Sequence, residues 1–304
     1  METDDQDATH AVHVGRHPGR GWVRVSHGLQ RHPATPDVTA WQSLLPTSAA
    51  FSHLTAARLH GWWLPELPAD LPVLVDQPCD QARSRRAGLR VTRTARDVPT
   101  VALDGVRVTA PAATLLACAR DLALLDLVVL VDAALRAGCT AQDVAAAAAH
   151  RSRGAPLLRR ALAMADPRSE SPWETLLRVL HVSVGATVVP QHVVTSADGR
   201  FVARGDLWLP GTRVLHEYDG GVHRSARAHA GDLRRDRALI AAGWTRRGYV
   251  AADLCRRPAE VLRDIDAALG RPHRPARLRA WLTLLHASTL TPQGRARLRA
   301  RLPA

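Results

Sequence analysis

Lysine and asparagine are absent from this chain of 304 residues, so arginine supplies all 41 of its strongly basic side chains against 28 acids. The resulting formal charge of +13 favours a polyanionic partner, because clustered cations displace the counterions condensed on a phosphate backbone. Lysine loss in an alanine- and arginine-rich chain also marks a GC-biased genome, so part of that excess reflects codon supply. Cysteine is scarce: Cys79, Cys118, Cys139 and Cys255 lie far apart without a CxxC pair, which argues against a zinc knuckle and a disulfide framework. Long apolar runs are lacking too. The most apolar stretch, Leu122 to Leu135, is broken by Asp126 and Asp132 and falls short of the roughly 20 residues that a spanning helix needs. It reads as a buried helix. The opening residues Glu2, Asp4, Asp5 and Asp7 are the reverse of a secretory leader, which predicts a cytoplasmic protein with no membrane partner. G-x-S-x-G, P-loop, H-E-x-x-H and G-x-G-x-x-G motifs are all missing, so no organic cofactor is expected.

Residues 1–20 show no apolar periodicity and read as a disordered lead. Gly21 to Arg31 alternates like a strand, Asp37 is placed to cap a short helix through Trp41 to Leu45, and SHLTAARLHGW from Ser52 carries a helical apolar stripe. Strands are expected at Val73–Asp76, at Leu89–Thr94 and around Asp104-Gly105, and helices from Pro111 to Ala165. The polar turn cluster from Asp166 to Ser169 sets a boundary between domains at 21–165 and 168–270. From Arg271 the chain holds eight arginines and no acid, which predicts a basic helical tail over 271–304.

Behind that boundary Pro172 and Glu174 follow Ser171, as at a helix start. The period then switches to two over Thr187–Val194, Phe201–Leu209 and Arg213–Tyr218, with turns at Asp198-Gly199 and Pro210-Gly211. A helix over Ala226–Ala242, a strand over Trp244–Tyr249 and a helix over Ala251–Leu269 complete the order helix, three strands, helix, strand, helix. Asp206 and Glu217 lie inside apolar strands, where a charge is costly unless paired or metal-bound. Two or three carboxylates plus a main-chain carbonyl, here that of Tyr218, suffice for Mg2+ or Mn2+, which demand hard oxygen ligands. Plain readings stand beside these. Glu174 sits where a capping box places its acid, Asp219 before Gly220-Gly221 suits a turn, and Arg234, Arg235 and Arg237 suit a solvated helix face.

Two resemblances sharpen the expectation. FSHLTAARLHGWWLP, GVRVTAPAATLLACA and the helices that follow resemble the AbiEi-type antitoxin-like proteins of actinobacteria. That similarity covers about 21–165, with only Gly21 to Gln30 left of a preceding winged helix. EYDGGVH, with Asp206 before it and GDLRRDRALIAAGWTRRGYVAADL after it, resembles a nuclease-like family related to very-short-patch-repair (Vsr) endonucleases, within the restriction-endonuclease-like PD-(D/E)XK superfamily. Carried over position by position, this implies catalytic Glu174, Asp206, Glu217, Asp219 and His223 and metal ligation by Asp206, Glu217 and Glu174, and it matches Gln191 to a strand glutamine and Arg235 and Asp236 to the charged start of the next helix. Beside it, the candidate DNA contacts are Gln191 and the basic run Arg234, Arg235 and Arg237. One departure matters: Asp219 stands where the superfamily signature ends in Lys. The fold class expected is α/β, a mainly helical α+β front domain followed by a restriction-endonuclease-like domain. The function expected is magnesium- or manganese-dependent cleavage of DNA in phage defence or repair. A non-catalytic DNA-binding regulator or antitoxin is the alternative, with a cognate toxin or a second copy of the chain as further partners.

Overall fold

The computed structural model describes residues 12–16, 18–149, 152–220 and 226–303, and over them the chain is a mixed α/β protein. Val12–Val14 (β1), Val23–Ser26 (β2) and Leu29–Arg31 (β3) form an antiparallel sheet in the order β1-β3-β2. The single strand expected over Gly21–Arg31 is therefore a hairpin. Gly28 turns it at φ 64°, in the left-handed region that a residue without a Cβ enters freely. Within the stretch 1–20 expected to be a disordered lead, Val12–Val14 instead pairs with β3; residues 1–11 lie outside the described residues. In α1 (Asp37–Gln42) the aspartate is the first helical residue rather than the cap, and its carboxylate accepts from the Arg31 guanidinium.

Ala50–Phe51 (β4), α2 (His53–Leu59), Val73–Pro78 (β5), Leu89–Thr94 (β6), Thr100–Leu103 (β7) and Val106–Thr109 (β8) follow. The five strands form one sheet, β6-β5-β4-β8-β7, in which β5 with β6 and β4 with β8 run parallel. Asp104 and Gly105 both take positive φ between β7 and β8, the backbone that a two-residue hairpin turn requires. Alternate residues Val75, Val91, Val106 and Val108 pack with Phe51, Trp41 and Leu29 into one core.

Helices follow: α3 (Pro111–Cys118), α4 (Leu124–Arg136), α5 (Ala141–Ala149), α6 (Ala155–Met164) and α7 (Pro172–Ser183). Next come β9 (Val189–Thr195), β10 (Phe201–Trp208), β11 (Val214–Tyr218), α8 (Ala226–Ala241) and β12 (Thr245–Tyr249). Their sheet has the order β12-β11-β10-β9. The connection through α8 makes β12 parallel to β11, whereas the turns make β9, β10 and β11 antiparallel. The single helix expected over Ala251–Leu269 is two, α9 (Ala251–Cys255) and α10 (Pro258–Ala268). Pro258 lacks the N–H that a continuous helix needs and serves as a first helical residue instead. After a 3-10 turn at Pro275–Leu278 come α11 (Arg279–Ala287) and α12 (Pro292–Arg301).

The chain divides into two compact units that are discontinuous in sequence. One is Met1–Asp121 with Gln142–Leu158 and Ala296–Ala304; the other is Leu122–Ala141 with Arg159–Arg295. The linear boundary near Asp166 differs from this, because α4 counts with the second unit. Its Asp132 accepts from Arg178 Nη2 at 2.6 Å, Thr175 Oγ1 at 2.7 Å and the Asp166 amide at 2.8 Å. Its Asp126 accepts from Ser288 Oγ at 2.5 Å and the Thr289 amide at 3.0 Å. The two acids that interrupt the apolar run are thus its buried anchors, each supplied with the donors that a buried carboxylate requires. The tail expected over 271–304 is helical, and it is packed: α11 buries Trp281 completely, and the indole N–H donates to the Leu254 carbonyl at 3.1 Å.

Candidate active site

Glu174, Asp206 and Glu217 approach one another from three elements of the second unit. The register that pairs Leu207 with His216 and Trp208 with Leu215, continued by one step, sets Asp206 opposite Glu217. Directly opposed residues project to the same face of a sheet. On the other flank, the pairings Gly205 with His192 and Leu207 with Pro190 set Gln191 level with Asp206, and Gly248 pairs with Glu217. A row of Gln191, Asp206, Glu217 and Gly248 therefore crosses the sheet. Glu174 joins it from the first turn of α7, where its Oε2 accepts from Gln191 Nε2 at 2.8 Å and from the Glu170 amide at 2.7 Å. Ser171 Oγ in turn accepts from the Glu174 amide at 3.2 Å. Ser171 is thus the helix cap, while the Glu174 carboxylate binds the Glu170 amide instead of the Ser171 amide of the expected capping box and faces the strand row. Gln191 sits at φ 53°, a left-handed backbone that costs a non-glycine residue about 1 kcal/mol or more and collects at functional positions.

Burial pushes the Asp206 carboxyl up to about 7, and the charges of Glu174 and Glu217 add to the rise, while the Tyr218 amide and Arg235 oppose it. The Tyr218 N–H donates to Asp206 Oδ2 at 2.8 Å, so the contribution of Tyr218 seen here is its amide, and its ring stacks on Trp173 at 5.2 Å. Glu217 is 4% exposed and held by two guanidinium groups. Arg235 donates to both of its oxygens, at 2.9 and 2.5 Å, and Arg246 Nε to Oε2 at 2.5 Å. Arg246 also pairs with Asp219 and lies 3.8 Å from Asp236. Gly248 makes room for this arrangement, since a Cβ there would overlap the Asp219 carboxylate.

Arg235 therefore leaves the phosphate-facing group in which the sequence placed it, being committed to Glu217, whereas Arg234 and Arg237 lie on the exposed face of α8. Gln191, expected to touch DNA, is tied to Glu174. His223 lies outside the described residues. Among the described residues no group of three or more His, Cys, Asp or Glu side chains is arranged to hold a metal ion. Arg246 and Gly248 escaped the sequence reading; their signal was an arginine pair and a glycine within the short strand Thr245–Tyr249, where a polar, flexible sequence needs a reason.

On the opposite face of β11, His216 is fully buried beside His181. His181 donates from Nδ1 to the Leu177 carbonyl at 2.7 Å, which leaves its Nε2 to accept from His216 Nδ1 at 2.7 Å. Burial pushes His181 down to about 4 and also pushes His216 well below the ordinary imidazole range, so both imidazoles are neutral near pH 7. Tyr249 closes the network by donating to Asp264 at 3.1 Å. These groups fix β11, and with it Glu217, from behind.

Comparison with known proteins yields two mycobacterial relatives, both from Mycobacterium tuberculosis: uncharacterized protein MT2308 of strain CDC 1551 and uncharacterized protein Rv2248 of strain H37Rv. Each is 29% identical over 197 residues, covering 60% of this chain and 68% of the relative. No family model matches the chain, and no solved structure matches it.

Proposed function

We propose that the second unit is a metal-dependent endonuclease of restriction-endonuclease architecture that hydrolyses phosphodiester bonds of DNA. The observation that carries this reading is the convergence of Glu174, Asp206 and Glu217, with Asp206 pushed up to about 7 by its burial first and by the charges of the other two in addition. The helix, antiparallel three-strand meander, helix and parallel fourth strand that hold them support it, because that order delivers acids from a helix and two adjacent strands to one spot.

The donors fit a hard divalent cation in part. Asp206 and Glu174 offer carboxylate oxygens, and Asp206 carries its charge only against burial and two like neighbours, a strain that a cation relieves. Glu217 does not contribute while Arg235 and Arg246 occupy it. Bound magnesium or manganese would supply Lewis-acid stabilisation of the charge that builds on the phosphate. The chain's own groups supply the rest. Arg246 and Arg235 bring positive charge to the position where the superfamily signature has Lys, Asp206 takes up or releases a proton near neutral pH, and the exposed Arg234 and Arg237 hold the backbone. The test is nicking of supercoiled plasmid with magnesium or manganese, beside Asp206→Asn and a chelator. Nicking lost in both controls supports the nuclease, and wild-type protein that never nicks removes it.

One observation favours a second reading. With both Glu217 oxygens taken by guanidinium groups, the same unit suits a cytoplasmic DNA-binding regulator or antitoxin that cuts nothing. Salt-dependent DNA binding without nicking, unaffected by chelator, is its signature.

A further inference from the structure

The first unit holds a cleft of about 530 Å³ that is independent of the acid cluster and of the reading just given. Its walls carry Arg83, Arg86, Arg90, Arg120 and Arg153 around His53. The five arginines come from three separate stretches of chain, β6 with the loop before it, the turn after α3 and the loop before α6, so the fold gathers them. Among the described residues none of the five pairs with a carboxylate within salt-bridge distance. Where they are bonded, it is to main-chain carbonyls: Arg86 Nη1 to His27 at 2.6 Å, Arg83 Nη2 to Val91 at 3.4 Å and Arg120 Nε to Arg153 at 3.4 Å. Five guanidinium groups facing one concavity repel one another, and the fork of N–H donors that each retains matches phosphate oxygens.

The floor is equally specific. His53 is 4% exposed and takes φ 50°, a left-handed backbone that strains a non-glycine residue. Its ring lies 3.8 Å from Asp76 and 3.7 Å from Asp121, and Ser52 Oγ sits 2.8 Å from Nδ1. Burial first, then Arg120 and Arg90, pushes His53 down to about 3, so it offers the cleft a neutral imidazole. Asp121 also lines the cleft, and its Oδ2 is buried without any hydrogen-bond partner among the described residues. A buried acceptor left unpaired is costly unless something fills it. Leu74, Leu89 and Val91 provide an apolar wall. A cleft of this size suits a small molecule.

We infer that this cleft binds a small polyphosphorylated ligand of the nucleotide class: Arg90, Arg120 and Arg153 hold its phosphates, and Asp121 accepts a hydrogen bond from a hydroxyl or amino group of the same molecule. The test is isothermal titration of the full-length protein, at fixed ionic strength, with pyrophosphate, ATP, GTP and adenosine. A 5′-phosphorylated single-stranded oligonucleotide and its unphosphorylated form are titrated alongside. Pyrophosphate and a nucleoside triphosphate saturate one site, and adenosine does not. Arg90→Gln and Arg153→Gln each weaken that binding about tenfold or more, the size of one charge-assisted hydrogen bond. Asp121→Asn weakens the triphosphate and spares pyrophosphate. Arg153 is exposed, so its variant keeps the fold and guards against a trivial loss. Absence of saturable binding by pyrophosphate and both triphosphates overturns the inference. So does binding that is unchanged in both arginine variants, or binding confined to the phosphorylated oligonucleotide.

Discussion

Replacing Asp206 by Asn should make the protein more stable at alkaline pH while abolishing the proposed activity. The folded carboxyl titrates near 7 against an ordinary value of 3.8. Above pH 7 it is ionised in both the folded and the unfolded chain, and the folded state bears the cost of the buried charge. Between pH 7 and 3.8 the folded state keeps a proton that the unfolded state has released, so stability from this group rises as pH falls. The interval is about three pH units at about 1.4 kcal/mol each, a total of about 4 kcal/mol. The Asn variant keeps an oxygen to accept the Tyr218 amide and carries no charge. Its advantage over wild type should therefore be near zero below pH 4, grow through pH 5 and 6, and level off at about 4 kcal/mol above pH 7. Urea denaturation of both proteins at pH 4, 5, 6, 7 and 8, compared at equal slope, measures it. A second arm uses magnesium: added ion should stabilise wild type at pH 8 and leave the variant unmoved. An advantage that does not change with pH would refute the reasoning, since it would mean that Asp206 bears no charge-dependent cost.

Three further outcomes are expected. Gly248→Ala drives a methyl into the Asp219 carboxylate and should cost about 1–3 kcal/mol by overpacking, read in urea unfolding, together with loss of the Arg246–Asp219 pair. Asp132→Ala strands the buried Arg178 guanidinium and should destabilise by about 3–5 kcal/mol; a change within 1 kcal/mol would deny α4 its anchoring role. His181 titrates in the opposite sense to Asp206: with the folded value pushed down to about 4, the unfolded chain alone binds a proton between pH 6.5 and 4. Its contribution to stability is full above pH 6.5 and falls by about 3 kcal/mol on acidification to pH 4, a slope that should be missing from His181→Asn.

Much of the local structure was legible because it rests on periodicity and punctuation. Period two over Phe201–Leu209 gave β10, Asp104-Gly105 gave a two-residue turn, and Ser171-Pro172 gave the start of α7. Asp206 and Glu217 could be singled out because a charge inside an apolar strand is anomalous wherever the strand ends up. Misreadings arose where a local pattern was ambiguous. A strand and a hairpin alternate alike over Gly21–Arg31, and a helix broken at Pro258 keeps its apolar stripe on both sides of the break.

By itself, then, the sequence determined the kinds of element, their order in the second unit, and the acids whose position demands an explanation. The tertiary structure alone decided the partners of those groups. No spacing says that Arg235 and Arg246, 18 and 29 residues beyond Glu217, close on its two oxygens. Nor does any spacing say that Asp126 anchors a loop 162 residues away, or that arginines 83, 90, 120 and 153 share one cleft. Backbone preference acts over a few residues and is written in each short window. Pairing between charges depends on distance in space, which only the packing of the whole chain sets.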